Sequence, residues 1–393
     1  VTPAREALVA AVRTNCAISD ARHAREMTMC TYLLAMREYY RWERGVALDA
    51  PLVRADVGVW LAAREAEWES LEDADYRPLP LGPETVDPYD VEAVNRALVP
   101  EGMVYGAGIG RFGKPQFFVA TLEREERRGG ARVLVAGREH ARDLDAAPAA
   151  MRGGTIYVRQ ESLARVLWEK AEAWSVRRAD GALKSALDAH GYEEGSAAAL
   201  ERMVEAETET LILHEVGEHE AAALLGPGWE RSLCGLERRG AAILMRAVRD
   251  HLADCLVTLP ELVERRADAS LHLWFANLDG MRRDLFPRAQ EAYRAWLAPR
   301  ATSEDPLFFA FVDRARGQAV GMGAYLRIDT ANGVVEVGHL AFSPLMQRTP
   351  VATEAMYLMM KQAFELGYRR YEWKCDALNA GSRRAAERLG FTF

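Results

Sequence analysis

The sequence has 393 residues, more than a single hydrophobic core usually serves, so we expect at least two domains. Apolar residues make up 49% of the chain and charged residues 27%, as in ordinary globular proteins. The formal net charge of -8 gives no support to nucleic-acid binding, which usually needs a basic face. The five dispersed cysteines fit reduced thiols, and no run of apolar residues is long enough to cross a membrane. We therefore predict a cytoplasmic protein with no nucleic-acid or membrane partner.

Helical periodicity dominates the first 300 residues and is interrupted by one β-rich stretch. Apolar residues at helical spacing fill residues 3–71 and 161–297. Between them, β-branched and aromatic runs separated by glycine turns predict four strands, at 104–109, 116–122, 132–135 and 155–159. The expected fold of residues 1–300 is thus a mainly helical domain with a small inserted antiparallel sheet at about 103–159.

A glycine motif lies inside the predicted sheet. Residues 108–113, GIGRFG, formally match GxGxxG. A strand follows this motif, whereas a dinucleotide site requires a helix whose N-terminus binds the phosphates. The pattern favours a hairpin turn, with a nucleotide-binding loop as the alternative.

Two consecutive helices carry a set of candidate metal ligands. His214 and Glu218 are four residues apart on a long helix that Ser196 caps, and they therefore share a face. Asp250 and Asp254 share a face of the following helix. Facing helices that offer imidazoles and carboxylates are how bundle metal sites are built. The sequence leaves the identity of the ion open.

A structural role for these side chains is the alternative. The His214 and His219 imidazoles are five residues apart and diverge too far to bind one metal, unlike the histidines of the HExxH motif. Arg246 and Arg249 lie close enough to neutralise the carboxylates in a buried salt-bridge network.

Residues 305–393 predict a separate α/β segment. Its pattern reads as two strands, a hairpin turn at Asn332-Gly333, a third strand, a polar loop, a helix, a fourth strand and a last helix. Thr349 is the expected N-cap of the first of these helices, and Pro350 stands at its first position. A strand that leads through a short polar loop to a helix N-terminus favours anion binding.

Two motifs in this segment resemble the GNAT acyl-CoA N-acyltransferase superfamily, in particular its ribosomal-protein-alanine acetyltransferase-like branch. The first is QRxxxAT, from Gln347 to Thr353, and the second is NxxSRRAAERLGF, from Asn379 to Phe391. The resemblance implies acetyl-CoA as the cofactor and an amine, on a small molecule or a protein, as the acceptor. It also implies that Glu336 is the general base. The implied cofactor-binding residues are Leu340, Phe342, Gln347, Arg348, Thr349, Val351, Ala352, Thr353 and Asn379.

Glu336 has an alternative role, in which it faces solvent on an amphipathic strand. The segment also departs from the GNAT pattern. The loop has Pro350-Val351-Ala352 in place of Gly-x-Gly or Gly-x-Ala, and Ala386 stands where many members have a tyrosine acid. Neither the first strand of a GNAT domain nor its last strands are recognisable, so the segment resembles a partial domain.

The whole chain is therefore predicted to be an α+β, multi-domain protein. The region before the GNAT-like segment resembles an uncharacterised bacterial family of unknown function, and this resemblance implies no chemistry. The principal hypothesis is an acetyl-CoA-dependent N-acyltransferase. The alternative is a metal- or ligand-binding helical protein that uses His214, Glu218, Asp250 and Asp254, with a non-catalytic GNAT segment. A homodimer, in which a second chain completes the sheet, is compatible with either hypothesis.

Overall fold

The computed structural model describes residues 3–110, 113–192, 196–234, 239–297 and 305–392. The chain forms two compact units, Val1–Leu285 and Phe286–Phe393. Both contain α-helices, and both contain a β-sheet. The predicted multi-domain mixture of helix and sheet is thus confirmed.

Twelve α-helices are described in the first unit. They are α1 (Pro3–His23), α2 (Met29–Arg44), α3 (Arg54–Leu71), α4 (Val91–Leu98), α5 (Gln160–Arg177), α6 (Ala182–Ala189), α7 (Ala197–Leu225), α8 (Pro227–Cys234), α9 (Arg239–Ala253), α10 (Leu259–Glu264), α11 (Asp268–Ala276) and α12 (Gly280–Leu285). Helix α7 begins where the sequence predicts, because the Ser196 side chain accepts a hydrogen bond from the backbone N–H of Ala199. A π-helical turn, Asp254–Thr258, separates α9 from α10.

Seven strands in two sheets are also described in the first unit. A short hairpin pairs β1 (Leu79–Leu81) with β2 (Glu84–Val86). The larger sheet has the order β3-β4-β5-β7-β6. Its strands are β3 (Met103–Ile109), β4 (Pro115–Arg128), β5 (Ala131–Arg142), β6 (Ala149–Arg152) and β7 (Thr155–Arg159).

The prediction that this sheet is antiparallel is wrong, because β5 and β7 pair in parallel. Strands β6 and β7 form a hairpin around Gly153-Gly154, two positive-φ glycines that allow a two-residue turn. The hairpin places β7 against β5 and leaves β6 at the edge. Strand order depends on which member of a hairpin docks inward, and periodicity along the chain contains no information about that choice.

The larger sheet is curled. Arg152 on one edge strand donates from Nη1 to the carbonyl oxygen of Ile109 on the opposite edge strand, at 2.9 Å. On the convex face, Ile156 and Val158 pack against Ile212 and Val216 of α7. Helix α1 packs on the β3–β4 side of the same sheet. The concave face is filled by the sheet's own side chains, among them Phe118, Leu134 and Tyr157.

Helix α1 carries a buried carboxylate into this core. Asp20 accepts from the Lys114 ammonium at 2.7 Å and from the backbone N–H of Leu144 at 2.9 Å. Lys114 follows the glycine motif, in which β3 and β4 pair antiparallel and the Gly110 N–H donates to the Lys114 carbonyl. The hairpin interpretation of the motif is therefore confirmed, although Arg111 and Phe112 lie outside the described residues.

The second unit contains the predicted strand, loop and helix pattern. Its elements are α13 (Pro287–Leu297), β8 (Leu307–Asp313), β9 (Gln318–Asp329), β10 (Val334–Phe342), α14 (Pro350–Glu365), β11 (Arg370–Trp373) and α15 (Ala380–Arg388). The sheet order is β11-β10-β9-β8, and among its described strands only β10 and β11 pair in parallel. Met356, Met359 and Ala363 of α14 pack against Val335 and Val337 of β10. None of the described helices is long and apolar enough to cross a membrane.

Candidate functional site

The parallel strands β10 and β11 separate partway along their length. They pair from Val334 opposite Arg370 to Val337 opposite Trp373, where β11 ends. Strand β10 continues to Phe342 and contains a bulge between Gly338 and Ala341, with His339 at a φ of 49°. Within the described residues, no strand covers the edge of β10 beyond Val337 on the β11 side. The backbone N–H and C=O groups of that edge are available to a ligand.

Leu340 and Phe342, the predicted strand contacts of the cofactor, lie on this edge. Both side chains are partly buried against the core of the unit. The Phe342 carbonyl already accepts a hydrogen bond from Gln347 Nε2 at 2.8 Å. Gln347 therefore fastens the loop to the end of β10 rather than pointing away from it.

The loop after β10 leaves the start of α14 open. Thr349 stands at the N-cap, as predicted, but its hydroxyl donates to the Met346 carbonyl at 2.7 Å and caps no amide. Arg348 precedes it in the left-handed region, at a φ of 59°. Pro350 has no N–H, so the first-turn donors come from Val351, Ala352 and Thr353. The Ala352 N–H donates to the Thr349 carbonyl oxygen at 3.2 Å, so a ligand would have to share or displace this hydrogen bond.

This arrangement fits an anionic group. The positive end of the α14 dipole and its first-turn amides lie directly after the uncovered edge of β10. Ala352 is buried and small, so a ligand could approach the backbone closely. Thr353 and Arg348 are exposed, so a hydroxyl and a guanidinium are available there.

Asn379 is the N-cap of α15. Its Oδ1 accepts a hydrogen bond from the backbone N–H of Ser382 at 3.0 Å. The Ser382 hydroxyl in turn accepts from Trp373 Nε1 at 2.9 Å. The side-chain oxygen of Asn379 is thus used by the helix cap, and only its amide group is left to donate to a ligand.

Glu336 lies where β10 and β11 are still paired, next to the point at which they separate. The expectation that it faces solvent is wrong, because the residue is only 4% exposed. Its Oε2 accepts from Lys374 Nζ at 2.8 Å and forms a second ion pair with Arg327. The sequence analysis missed both cations. Lys374 also contacts Glu372 at 2.8 Å, and Glu372 lies directly opposite Glu336 in the sheet.

In the first unit, the four predicted metal ligands do lie together. His214 Nδ1 is 2.8 Å from Asp254 Oδ1, and His214 Nε2 is 3.5 Å from Glu218 Oε1. One potential ligand atom from each of His214, Glu218 and Asp250 falls within 4.8 Å of the other two. The helix-face argument from the sequence therefore identified the correct neighbours.

Two arginines occupy the same cluster. Arg249 Nη2 is 2.6 Å from Glu218 Oε1 and 3.4 Å from Asp250 Oδ1. Arg282, on α12, forms an ion pair with Asp254. Arg249 is one of the neutralising cations that the sequence suggests. Arg282 was missed, because the sequence near residue 282 does not indicate that α12 packs against α9.

The electrostatics of the cluster favour an ion-pair network. Burial acts to lower the pKa of His214, but hydrogen bonds and charges from Asp254 and Glu218 raise it to about 10. For Asp254, burial acts to raise the pKa, yet the imidazole and Arg282 hold it below its usual value. Both imidazole nitrogens face carboxylates, so a metal would have to displace a proton from His214 in order to bind.

Three family models match the chain. A "Family of unknown function (DUF6866) N-terminal domain" matches residues 7–159, and the corresponding C-terminal domain matches residues 164–319. An "Acetyltransferase (GNAT) domain" matches residues 257–392. The GNAT match begins upstream of residue 305, where the resemblance was expected to start, and takes in the helices from α10 to α13.

Several solved structures are similar to the C-terminal part. A GCN5-related N-acetyltransferase from Brucella melitensis is 52% identical over 26% of this chain and 47% of its own, with a TM-score of 0.25. A probable GNAT-family acetyltransferase from Chromobacterium violaceum is 45% identical over 26% of this chain and 52% of its own, also with a TM-score of 0.25. Glucosamine-6-phosphate N-acetyltransferase from Arabidopsis thaliana is 10% identical over 27% of this chain and 72% of its own, with a TM-score of 0.22.

This chain spans about half the length of the first two of these structures. No curated protein matches it. The family models are therefore the findings that classify the chain. The chain belongs to the family of unknown function DUF6866, whose two domain models together match most of it, and its C-terminal part matches the model of a GNAT acetyltransferase domain.

Proposed function

We propose that the protein transfers an acetyl group from acetyl-CoA to an amine on a small molecule or a protein. The observation that carries this proposal is the juxtaposition of the uncovered β10 edge with the uncapped N-terminus of α14. Together they offer an extended strand edge to an amide-containing arm and a helix N-terminus to a pyrophosphate. Both features lie inside the region that the GNAT family model matches.

The cofactor would be held mainly by backbone groups. The edge at Leu340 would pair with the pantetheine arm, and the amides of Val351, Ala352 and Thr353 would receive the pyrophosphate. Arg348 adds a positive charge next to those amides. Gln347 supports this loop through its bond to the Phe342 carbonyl rather than by contact with the cofactor.

When bound, acetyl-CoA would supply an acyl thioester, which the amine attacks to give an amide and a free thiol. Glu336 would take the proton from the amine, through a water, because its carboxylate lies next to the opening between β10 and β11. Lys374 and Arg327 hold this carboxylate in place from one oxygen, Oε2. Ala386 is buried and has no acidic group, so the thiolate would receive its proton from water.

The proposal is tested by titrating acetyl-CoA into the full chain by calorimetry. We expect micromolar binding that Arg348→Glu weakens strongly, because the substitution places a negative charge beside the pyrophosphate site. Arg316→Glu is the matched control, since Arg316 is exposed in the β8–β9 turn and pairs only with Asp313 among the described contacts. Absence of binding at millimolar acetyl-CoA would refute the proposal. If Arg348→Glu and Arg316→Glu weakened acetyl-CoA binding equally, the N-terminus of α14 would not be the pyrophosphate site.

The metal-binding alternative has one observation in its favour, the close approach of His214, Glu218 and Asp250. We infer that this cluster is structural, because Arg249 and Arg282 already neutralise its carboxylates. Metal analysis of the purified protein, before and after dialysis against a chelator, separates the two roles. Stoichiometric zinc or iron that disappears in His214→Gln would overturn the structural assignment.

A further inference from the structure

The curled sheet of the first unit encloses a small cavity at one end of its concave face. Strand alternation directs Phe118 of β4, Ala150 of β6 and Tyr157 of β7 into it. The cavity volume is about 30 Å³, room for roughly two water molecules or for one carboxylate group. Its lining also includes Arg152 and Arg159, so the small space has aromatic walls and two guanidinium groups.

Glycines in β3 make room for two of these side chains. A Cβ at Gly106 would come within 2.1 Å of the Phe118 ring, and a Cβ at Gly108 within 2.4 Å of Arg152 Nη1. The start of the GxGxxG match thus has a packing role. The missing side chains allow the Phe118 ring and the Arg152 guanidinium, which both line the cavity, to approach the β3 backbone closely.

Arg159 is fixed in position. Its Nε donates to Glu139 Oε1 at 2.7 Å, and the same oxygen accepts from the Ser162 hydroxyl. The guanidinium carbon lies 4.4 Å from the centroid of the Phe118 ring, a cation–π contact. These contacts hold the guanidinium plane rigidly, so a ligand would meet a preorganised donor.

One donor of this rigid guanidinium is unused. Arg159 is 5% exposed, and its Nη2 has no hydrogen-bond partner among the described residues. Leaving a buried charged donor unsatisfied is costly, so such atoms usually mark a bound water, ion or ligand. Arg152 brings a second guanidinium to the same cavity. Glu139 pairs with Arg159, and the charges of Asp143 and Glu215 also act on these arginines.

We propose that this cavity is a binding site for the carboxylate group of a small organic acid. Arg159 Nη2 and the Arg152 guanidinium donate to the two carboxylate oxygens. Gln116 also lines the cavity, and its Nε2 donates to the Asp145 carbonyl at 2.9 Å. Phe118 and Tyr157 pack against the first carbons of the acid. The site belongs to the unit of unknown function and is independent of the acetyl-transfer proposal.

The probes are sodium acetate and sodium formate, with sodium chloride at equal ionic strength as the reference. We expect acetate to raise the melting temperature of the full chain more than chloride does, and to bind saturably by calorimetry. Arg159→Lys keeps a positive charge next to the Glu139 carboxylate but removes the Nη2 donor. It should weaken acetate binding by about ten- to a hundredfold, the loss expected for one charge-assisted hydrogen bond.

A second variant keeps the test decisive if Arg159→Lys does not fold. Ala150→Leu would fill the cavity without touching either arginine's charge, and should abolish the acetate effect while circular dichroism stays unchanged. Arg132→Lys is the matched control, since Arg132 lies on β5 and pairs with Glu125 outside the cavity. Equal effects of acetate and chloride would overturn the proposal. So would acetate binding that survives both cavity variants, or tighter binding of inorganic phosphate than of acetate.

Discussion

The environment of Glu336 differs from that of a free surface carboxylate. The side chain is buried between two strands, and Lys374 and Arg327 approach the same oxygen. Two cations on Oε2 fix the orientation of the carboxylate, and the ion pairs described for Glu336 do not involve Oε1. A group held in this way is positioned for proton transfer without having to move.

Replacing Glu336 by Gln tests its role as a base. The substitution keeps the size of the side chain and removes its capacity to accept a proton. We expect acetyl transfer to fall by about a hundredfold or more, the usual contribution of a general base. Acetyl-CoA affinity should change little. Glu372→Gln is the control, because Glu372 shares the Lys374 contact. Unchanged turnover in Glu336→Gln would show that Glu336 is not a general base and that its role is limited to the ion pairs with Lys374 and Arg327.

His214 links the stability of the first unit to pH. Its pKa of about 10 in the folded protein lies above the value of about 6.5 in an unfolded chain. The folded state therefore retains a proton that the unfolded state releases. The stabilisation is fully present below about pH 6.5 and is lost as the pH rises through about 10.

We expect the free energy of unfolding to decrease between pH 6.5 and 10, by at most about 1.4 kcal/mol per pH unit from this group. His214→Gln should flatten that decrease in urea titrations. His272→Gln should not, because burial lowers the pKa of His272, so that the folded protein retains no extra proton on this residue as the pH rises. If the free energy of unfolding of His214→Gln depends on pH in the same way as that of the wild type, the His214 imidazole is not charged in the folded protein.

At the scale of elements, α7 and the end of α9 approach each other closely through Gly217. A Cβ at this position would lie 2.4 Å from the backbone oxygen of Ala253, which directly precedes the π-helical turn. Backbone atoms cannot move aside as a flexible side chain can. The glycine therefore sets the distance at which the His214 and Asp254 side chains meet.

Gly217→Ala should destabilise the protein, although alanine favours helix more than glycine does. We expect a loss of about 1–3 kcal/mol from overpacking, measured by urea unfolding. Gly58→Ala in α3 is the matched control, because no atom lies within 4 Å of its added Cβ. That variant should gain about 0.5–1 kcal/mol. A stabilising Gly217→Ala would mean that the two helices can separate at little cost.

Local patterns in the sequence predicted much of both units, because their signals lie within a few residues. The hairpin at Gly333, the cap at Ser196 and the shared face of His214 and Glu218 are such cases. Features that depend on distant parts of the chain were missed. The parallel β5–β7 pair, the contact of Arg282 with Asp254 and the Arg327–Glu336 pair each depend on tertiary packing.

The whole molecule consists of two units with separate hydrophobic cores. Separate cores predict two unfolding transitions in calorimetry. Acetyl-CoA should raise the unfolding temperature of the second unit only. At a concentration of a hundred times its Kd, it should add about 2.7 kcal/mol to the free energy of unfolding of that unit. Gly217→Ala should lower the unfolding temperature of the first unit only. The two changes together identify which transition belongs to which unit. A single transition that both changes shift would show that the units unfold together.

The buried contact between Asp20 and Leu144 also constrains how the protein is made. Helix α1 leaves the ribosome well before its partner, because the backbone N–H that donates to the Asp20 carboxylate lies 124 residues later. At ordinary elongation rates this separation amounts to roughly ten seconds of synthesis. During that time the apolar face of α1, including Leu8 and Val12, has no sheet to pack against. Nascent chains that end before about residue 150 should therefore bind chaperones at the ribosome, and slowing translation before β5 should increase aggregation rather than reduce it.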